Sequence, residues 1–421
     1  MDKLVVEGGI PLRGEVNISG AKNSCLPIMA ATLLTDDKCI IHNIPQLRDV
    51  NTMMHILTSL GVKAVRDRNR VIREKGSYRK VTAAYDIVST MRASICVLGP
   101  LLAKRKEARV SFPGGCIIGP RPIDLHLKGL RALGADIKVE GGYIVAKTKQ
   151  LRGTNIYMGG HFGSSVLATA NVMMAATLAK GETVIHSAAC EPEIADLASF
   201  LIKMGARIEG YSTPTIRIHG VKHLAGAEHS IIPDRIETGT YMIAAVITNG
   251  ELKLKNAMSN HLMALIDKMR EAGCYIETKN STIRVKRARK GVRSIAMSTL
   301  PYPGFPTDMQ AQMMSLMSVA DGISVITEKI YPERFIHISE LNRMGAEILL
   351  EGPNAIIKGV KGLSGADVMA SDLRASAALV LAALVAKGKT TIHRVYHLDR
   401  GYERLESKLS KVGARIKRVK Q

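Results

Sequence analysis

The sequence predicts an α/β protein of two domains, each built from three repeated units. A chain of 421 residues exceeds what one hydrophobic core normally supports, so two domains of roughly 200 residues are expected. A helical tail that ends in glycine and runs into alternating strand residues occurs six times. Its glycines are Gly61, Gly134, Gly205, Gly273, Gly345 and Gly413. Their spacings of 73, 71, 68, 72 and 68 residues are too regular for chance and predict a duplicated fold.

Each repeated unit is predicted to contain one buried helix and one surface helix. The glycine suits the left-handed conformation that ends a helix, and the alternation after it suits a half-buried strand. A second helix, composed of small and apolar residues, precedes this one and is clearest at residues 29–34, 174–179, 243–248 and 381–386. A helix that is apolar nearly all round belongs inside a core. We therefore expect short strands to form sheets around the buried helices.

The boundary between the two domains is predicted near residues 233–240, midway between the third and fourth glycines. A cleft between two domains is the default position for a ligand site. The sequence therefore places the candidate site where turns of the two domains face each other.

The charge balance predicts an anionic partner. The chain carries 59 basic and 37 acidic residues, for a formal net charge of +22. The basic residues are spread along the chain, with modest clusters only at 284–293 and 415–420, and there are no Trp and only 5 Phe to stack on bases. This pattern disfavours nucleic acid and membrane surfaces and favours a phosphorylated small molecule.

The cysteines and the chain's apolar runs predict a soluble cytoplasmic protein. The six cysteines contain no C-x-x-C pair, which indicates reduced thiols in a cytosol and suggests no metal site. The first residues are too polar for a signal peptide, and the longest run of small and apolar residues, 375–386, is too short to span a bilayer. We therefore expect no membrane insertion.

The segment 112–127 is the most informative stretch for chemistry, because it places Cys116 on a glycine-rich turn shortly before Arg121. Gly114, Gly115 and Gly119 permit close approach of a ligand, and a nearby arginine favours the thiolate. The alternative is a buried structural cysteine in a tight turn. The local sequence leaves both interpretations open.

Charged residues recur at the starts of the apolar helices. Lys22 and Asn23 stand at a predicted helix N-terminus, where amides favour an anion, although a lone lysine there is more often a surface residue. Arg92 and Arg374 each begin an otherwise apolar helix, which suggests bound ligands or buried ion pairs. Asp308 holds the equivalent position in the fifth unit, where an ordinary N-cap is a strong alternative.

Two further arginines lie in polar loops. Arg400 stands next to a glycine, and Arg334 follows Tyr-Pro-Glu. Together with the cations at the helix starts, they form a set suited to a substrate that carries phosphate and carboxylate groups.

Eight ordered motifs give the chain a family resemblance over essentially its whole length. They are Ser-Gly-Ala-Lys-Asn at 19–23, Thr-Met-Arg-Ala-Ser at 90–94, Pro-Gly-Gly-Cys at 113–116, Arg-Pro-Ile-Asp-Leu-His at 121–126, Pro-Asp-Arg-Ile-Glu-Thr-Gly at 233–239, Phe-Pro-Thr-Asp-Met-Gln-Ala-Gln at 305–312, Asp-Leu-Arg-Ala-Ser at 372–376 and Asp-Arg-Gly-Tyr-Glu-Arg at 399–404. With these motifs the chain closely resembles the UDP-N-acetylglucosamine 1-carboxyvinyltransferases, the enolpyruvyl transferases of peptidoglycan synthesis. The resemblance implies two inside-out α/β-barrel domains, one of residues 22–232 and one of residues 1–21 with 233–421, that close over the substrates.

The resemblance also implies a reaction. The enolpyruvyl group of phosphoenolpyruvate passes to the 3-hydroxyl of UDP-N-acetylglucosamine through a tetrahedral intermediate, with release of phosphate and no metal or organic cofactor. This is the first committed step of peptidoglycan precursor synthesis. Cys116 matches the cysteine tied to acid catalysis at C3, which the antibiotic fosfomycin alkylates, and Asp308 matches the general base for the sugar hydroxyl.

The remaining site residues follow by position in the matching motifs. Lys22, Arg121 and Arg400 match contacts to phosphoenolpyruvate, and Arg92 and Asn23 match positions near the sugar nucleotide or the developing intermediate. The residues that match the uridine-diphosphate side are Arg121, Pro122, Ile123, Asp124, Leu125, Gly163, Ser164, Ser165, Val166 and Ile330. Those that match active-site charges of the second domain are Arg334, Asp372 and Arg374.

One strip departs from the family pattern, and three rival functions remain. Gly163-Ser-Ser-Val-Leu167 replaces a strip that commonly reads Ser-Val-Gly after a basic or proline residue, so Leu167 stands where the family has a glycine with a freer backbone. The rivals are the shikimate branch of the same superfamily, a noncatalytic sugar-nucleotide sensor and a basic nucleic-acid binder. The Gly-Gly-Cys-Ile-Ile-Gly loop argues against the first, and the intact set of Lys22, Cys116, Asp308 and Arg400 argues against the second.

Overall fold

The computed structural model of the chain describes residues 2–114, 123–287 and 291–420. The described residues pack into two compact units. Residues 20–114 and 123–232 form one, called the Lys22 unit, and residues 2–19, 233–287 and 291–420 form the other, called the Asp308 unit. The domain limits implied by the family resemblance, 22–232 against the remainder, stay a prediction.

The strands are short, and all those in the described residues have five residues or fewer. In the described residues they are β1 (Lys3–Glu7), β2 (Arg13–Asn17), β3 (Cys39–His42), β4 (Ala64–Asp67), β5 (Arg70–Arg73), β6 (Thr82–Ala83), β7 (Glu107–Ser111), β8 (Asp136–Glu140), β9 (Tyr143–Lys147), β10 (Asn155–Tyr157), β11 (Gly159–Gly160), β12 (Gly163–Ser164), β13 (Glu182–His186), β14 (Arg207–Glu209), β15 (Thr215–His219), β16 (Glu228–Ser230), β17 (Glu251–Lys255), β18 (Tyr275–Lys279), β19 (Thr282–Lys286), β20 (Ala296–Ser298), β21 (Ile323–Thr327), β22 (Glu347–Glu351), β23 (Asn354–Lys358), β24 (Asp367–Met369), β25 (Lys389–His393) and β26 (Arg415–Val419).

The helices alternate with these strands. In the described residues they are α1 (Lys22–Ala31), α2 (Arg48–Ser59), α3 (Tyr85–Val88), α4 (Leu98–Arg105), α5 (Asp124–Ala132), α6 (Val166–Ala176), α7 (Pro192–Lys203), α8 (Arg235–Ile247), α9 (Met263–Glu271), α10 (Gln310–Met317), α11 (His337–Arg343), α12 (Leu373–Val385) and α13 (Leu405–Lys411). Short 3₁₀ turns occupy Thr32–Leu34, Arg92–Val97, Ser259–His261, Thr307–Met309 and Val395–Arg400. None of the helices in the described ranges is long and apolar enough to cross a lipid bilayer.

The described strands form six four-stranded sheets with one shared topology, besides the small β11–β12 hairpin. The orders in the Lys22 unit are β16-β3-β5-β4, β6-β7-β9-β8 and β10-β13-β15-β14, and those in the Asp308 unit are β18-β19-β17-β2, β20-β21-β23-β22 and β24-β25-β1-β26. In every sheet one edge pair is parallel and the other two pairs are antiparallel. The predicted α/β fold of six related units, three in each half, is therefore confirmed.

The repeated glycines end their helices as predicted. All six have a positive φ, and the angles are +93° at Gly61, +93° at Gly134, +103° at Gly205, +91° at Gly273, +91° at Gly345 and +107° at Gly413. Residues with a Cβ rarely adopt this conformation, which explains why glycine recurs at this point of each unit.

The small, apolar helices form the cores of the two units, as the sequence predicted. Residues 168–176 of α6, 236–247 of α8 and 374–384 of α12 are buried without interruption. Helices such as α2 and α9 bury only one face. Both cores are aliphatic, because Leu, Ile, Val, Ala and Met supply most of the buried side chains.

A buried amide in α6 joins α4, the 3₁₀ turn Arg92–Val97 and α5 of the Lys22 unit. Asn171 accepts a hydrogen bond from the Gly99 amide through Oδ1 at 2.7 Å, so its Nδ2 must be the donor. Nδ2 donates to the Ile95 carbonyl at 2.9 Å and faces His126 Nδ1 at 3.0 Å. His126 Nδ1 therefore accepts, which requires a neutral ring. Burial, aided by the charge of Arg92, lowers the pKa of His126 to about 3.

This neutral histidine predicts a loss of stability in acid. The folded pKa of His126, about 3, lies below the ordinary value of 6.5, so between these values the unfolded chain binds a proton that the folded chain does not. The contribution of His126 is therefore complete above pH 6.5 and is lost as the pH falls toward 3. We expect His126→Gln, whose amide oxygen can still accept from Asn171, to lower the pH slope of the unfolding free energy by about 1.4 kcal/mol per pH unit.

Urea unfolding at a series of pH values within that window measures the slope. The exposed His55 supplies a matched control, because His55→Gln makes the same substitution outside the core. An identical slope in wild type and His126→Gln would contradict the neutral, buried state of His126.

Candidate active site

Asp308 lies in the 3₁₀ turn that leads into α10, and its carboxylate binds two arginines. Arg334 Nη1 donates to Oδ1 at 2.8 Å, and Arg374 Nη2 donates to Oδ2 at 2.9 Å. Among the described residues, no side chain caps the 3₁₀ turn or α10. The interpretation of Asp308 as an ordinary N-cap is therefore wrong, and its carboxylate is the centre of an ion-pair cluster.

The charged side chains of this cluster are largely buried. The side chains of Arg334 and Arg374 are each 4% exposed, whereas that of Asp308 is 27% exposed. Burial raises the pKa of Asp308, but the charges of Arg374 and Arg334 outweigh it and hold the pKa well below its ordinary value. The carboxylate is consequently ionised at neutral pH, and it is a weak proton acceptor while both guanidiniums hold it.

Arg374 enters this cluster from the start of the buried helix α12. Asp372 caps the helix by accepting from the amides of Arg374 at 2.8 Å and Ala375 at 3.2 Å. The guanidinium carbon of Arg374 lies 5.5 Å from the ring centre of Tyr402. Its Nη1 is buried and has no hydrogen-bond partner among the described residues. A buried donor without an acceptor is costly, so the cluster has capacity for a further anionic or carbonyl oxygen.

The segment that carries Arg400 is held on both sides. The Tyr402 hydroxyl lies 2.9 Å from Thr240 Oγ1 and accepts from Gln312 Nε2 at 3.1 Å, which ties the segment to α8 and α10. On the other side, Arg418 of β26 donates to Asp399 at 3.0 Å. Arg400 itself ends the 3₁₀ turn between these anchors.

In the Lys22 unit, Lys22 begins α1 and forms an ion pair with Asp49. The distance from Lys22 Nζ to Asp49 Oδ2 is 3.2 Å, and the two side chains are 13% and 5% exposed. The alternative that Lys22 is a solvated surface residue is therefore wrong. Asn23 follows it in the first turn of α1.

The predicted nucleotide-side residues lie around α5, α6 and the β11–β12 hairpin. Ile123 is buried just before α5, which starts at Asp124. A Cβ added at Gly160 would lie 3.1 Å from Leu125 Cδ1 and 3.4 Å from the Gly163 carbonyl oxygen, so α5 and the hairpin are in close contact. The residues of the strip continue from that hairpin into α6, which Ser165 caps by accepting from the Ala168 amide at 3.4 Å, with Ser164 before it and Val166 after it.

The structure thus groups some of the predicted residues and leaves others apart or undescribed. Asp308, Arg334, Arg374 and Asp372 come together in the Asp308 unit, where Ile330 lies on the segment that leads to Arg334. Leu125 and Gly163 come together in the Lys22 unit, and Arg92 is close enough to lower the pKa of His126. Three predicted site residues, Cys116, Arg121 and Pro122, lie outside the described residues.

Sequence reasoning missed three side chains that support these groups. Asp49 lies on the same helical face as the buried Met53 and Ile56, and a carboxylate on an apolar face is a signal that it has a buried cation. Glu328, just after β21, and Tyr402 are also buried, but nothing in their local sequence distinguishes them from surface loop residues.

Comparison with known proteins places these residues in a family context. The sequence profile of EPSP synthase (3-phosphoshikimate 1-carboxyvinyltransferase) matches residues 6–409. The UDP-N-acetylglucosamine 1-carboxyvinyltransferase of Geobacter metallireducens is 55% identical over 422 residues, covering 100% of both chains. The enzyme of the same name from Methylacidiphilum infernorum is 54% identical, covering 100% of this chain and 99% of the relative.

Solved structures share the fold at lower identity. The enolpyruvyl transferase NikO from Streptomyces tendae has a TM-score of 0.90 and 23% identity, covering 99% of both chains. The EPSP synthase from Acinetobacter baumannii has a TM-score of 0.79 and 17% identity, covering 100% of both chains. The enolpyruvyl-transferase-like fold class is therefore confirmed.

Proposed function

Because this chain belongs to the EPSP synthase family and is a carboxyvinyltransferase, we propose that it transfers the enolpyruvyl group of phosphoenolpyruvate to the 3-hydroxyl of UDP-N-acetylglucosamine. The observation that carries the choice of acceptor is the full-length similarity to enzymes named for that sugar nucleotide. The reaction releases phosphate and supplies the first committed intermediate of peptidoglycan synthesis.

The proposed chemistry is an addition followed by an elimination. In the addition, the sugar O3 bonds to C2 of phosphoenolpyruvate, O3 loses its proton to a base, and C3 gains a proton from an acid. In the elimination, the bond from C2 to the phosphate oxygen breaks and C3 gives up a proton. A base and an acid are needed at different atoms of one substrate pair.

We assign the base to Asp308 and the acid to Cys116. The two arginines on Asp308 support this assignment only if they change partners, since a carboxylate that both guanidiniums hold is a weak base. Phosphate or carboxylate oxygens of the substrate are alternative anionic acceptors for Arg334 and Arg374, and they can accept two donors of one guanidinium at once. When the guanidiniums turn to those oxygens, the pKa of Asp308 rises and its carboxylate can take the O3 proton.

The remaining cations are assigned to binding. Lys22, Arg121 and Arg400 hold phosphoenolpyruvate and stabilise the charge that develops during addition. Asn23 and Arg92 lie toward the sugar, and the α5 residues with the strip Gly163–Val166 and Ile330 bind the uridine diphosphate side. Both substrates are small molecules, and we place the reaction in the cytoplasm, where the predicted reduced state of Cys116 is maintained.

The acceptor is tested by phosphate release from phosphoenolpyruvate with two alternative hydroxyl donors. We expect release with UDP-N-acetylglucosamine and none above background with shikimate 3-phosphate. The second acceptor is the necessary comparison, because the family profile takes its description from a 3-phosphoshikimate enzyme. Release with shikimate 3-phosphate alone would overturn the proposed acceptor, and release with neither would overturn the proposed reaction.

A further inference from the structure

Glu328 is a buried carboxylate that the proposed chemistry leaves without a role. It follows β21 and is 0% exposed. Oε1 accepts from Thr299 Oγ1 at 2.6 Å and from the amides of Ile330 at 2.8 Å and Tyr331 at 3.0 Å. Oε2 accepts from Thr307 Oγ1 at 2.9 Å. Burying a carboxylate is costly, so four converging donors indicate a group that fixes its surroundings.

Through Oε2, Glu328 sets the direction of the Thr307 hydroxyl. A hydroxyl has one proton, and once that proton points to Glu328 its lone pairs are free to accept. Arg334 Nη1 uses them, donating to Thr307 Oγ1 at 3.1 Å and to Asp308 Oδ1 at 2.8 Å. A continuous chain of hydrogen bonds therefore runs from Glu328 through Thr307 to Arg334 and Asp308.

Through Oε1, the same carboxylate holds the segment that begins at Ile330. The Arg334 amide donates to the Tyr331 carbonyl at 2.9 Å, so the turn that presents Arg334 starts at a residue bound to Glu328. Thr299 reinforces this end, since its hydroxyl donates to Glu328 and accepts from the Lys329 amide at 2.9 Å. Glu328 thus fixes both the main chain and the guanidinium of Arg334.

We infer that Glu328 is a positioning residue for the transfer reaction, acting through Thr307 on the Arg334–Asp308 pair and through the main chain on Ile330. This inference rests on the proposed function. It assigns Glu328 no contact with substrate. If the inference is right, the pairing of Asp308 with Arg334 depends on Glu328, a carboxylate that is two hydrogen bonds away from Arg334.

The alternative is that Glu328 only stabilises the fold. The pH profile of kcat/KM distinguishes this structural role from the positioning role. If the chain of hydrogen bonds holds Arg334 on Asp308, breaking it at Thr307 lets the pKa of Asp308 rise toward its ordinary value. The acid limb of kcat/KM reports the base in the free enzyme, so it then moves to higher pH. If the role of Glu328 is only structural, breaking the chain lowers the stability of the fold and leaves the acid limb of kcat/KM where it was.

The experiment compares Thr307→Val with Thr307→Ser and with Thr327→Val in the full chain. Thr307→Val should lower kcat by about tenfold or more, because Arg334 is no longer positioned to turn to the substrate oxygens, and it should move the acid limb upward. Thr307→Ser retains the hydroxyl and should behave as wild type. Thr327→Val is the matched control, because Thr327 ends β21 directly before Glu328 but donates to Asn354 Oδ1 at 2.7 Å instead.

Glu328→Gln extends the test, and combining it with Thr307→Val should add little to the larger single effect, since both break one chain. If Glu328→Gln does not fold, the comparison of Thr307→Val with Thr307→Ser still tests the inference. A wild-type kcat and acid limb in Thr307→Val, with normal wild-type turnover, would overturn this inference alone. A wild-type enzyme that releases no phosphate would overturn the proposed function and this inference with it.

Discussion

Asp308→Asn is expected to lower the rate of phosphate release by about a hundred- to ten-thousand-fold, the range that general bases usually contribute. An amide cannot take the proton from the sugar hydroxyl, yet it keeps nearly the shape of the carboxylate and one acceptor oxygen. The loss should therefore appear in kcat, while the affinity for UDP-N-acetylglucosamine, measured by calorimetry with the nucleotide alone, should change little.

The same substitution has a structural cost that must be measured separately. Arg334 and Arg374 are almost fully buried, and removing the charge between them leaves two guanidiniums without their common counter-ion. Breaking a buried ion pair typically costs about 3–5 kcal/mol, and the remaining amide oxygen should reduce that cost. Urea unfolding gives the value and shows whether the protein remains folded under the assay conditions.

Asp367→Asn supplies the matched control. Asp367 lies in the same unit and pairs with His393 at 3.0 Å, but its side chain is 77% exposed. Both turnover and stability should remain near wild type, because exposed pairs contribute little. Near-normal turnover in Asp308→Asn would remove Asp308 from the role of base.

The fold could be predicted because its signals are local. A glycine with positive φ, the apolar helix before it and the alternation after it are each written within about ten residues, and six copies reinforce one another. The four-stranded sheets with a parallel edge strand could not be predicted in the same way. Their pairing joins distant segments, such as β2 with β17 and β1 with β26, and depends on packing that no short window contains.

The candidate site, like the fold, has features that local sequence predicts and features that depend on tertiary packing. The sequence indicated that Arg374 at the head of an apolar helix needed a ligand or an ion pair, and the structure supplies Asp308, 66 residues away. It did not indicate that Arg334 would join the same carboxylate, or that Asp49 would pair with Lys22. Residue type at a helix start predicts the need for a partner, whereas the identity of the partner is decided by tertiary packing.

Cys116→Ser is expected to abolish labelling by fosfomycin and most of the turnover without unfolding the protein. The epoxide reacts with a thiolate, and serine supplies neither a comparable nucleophile nor an acid of similar pKa. Cys116 lies outside the described residues, so this prediction comes from its glycine-rich loop and its family match. The described cysteines are relevant because their protonation decides whether they compete with Cys116 for the label.

Those cysteines predict that the label enters at one site. Burial raises the pKa of Cys25, Cys96 and Cys274 to about 12, and it also raises that of Cys39. Buried, protonated thiols react slowly with electrophiles. Cys190 is partly exposed, but burial and the charge of Glu191 raise its pKa as well.

Cys190→Ser is therefore the informative control, since it removes the most accessible of the described thiols. It should keep full labelling and turnover, whereas Cys116→Ser should lose both, with the mass of the intact protein reporting the label. Labelling that persists in Cys116→Ser but disappears in Cys190→Ser would identify Cys190, and not Cys116, as the reactive thiol. That result would leave the protonation of C3 without an acid and would contradict the assignment of Cys116.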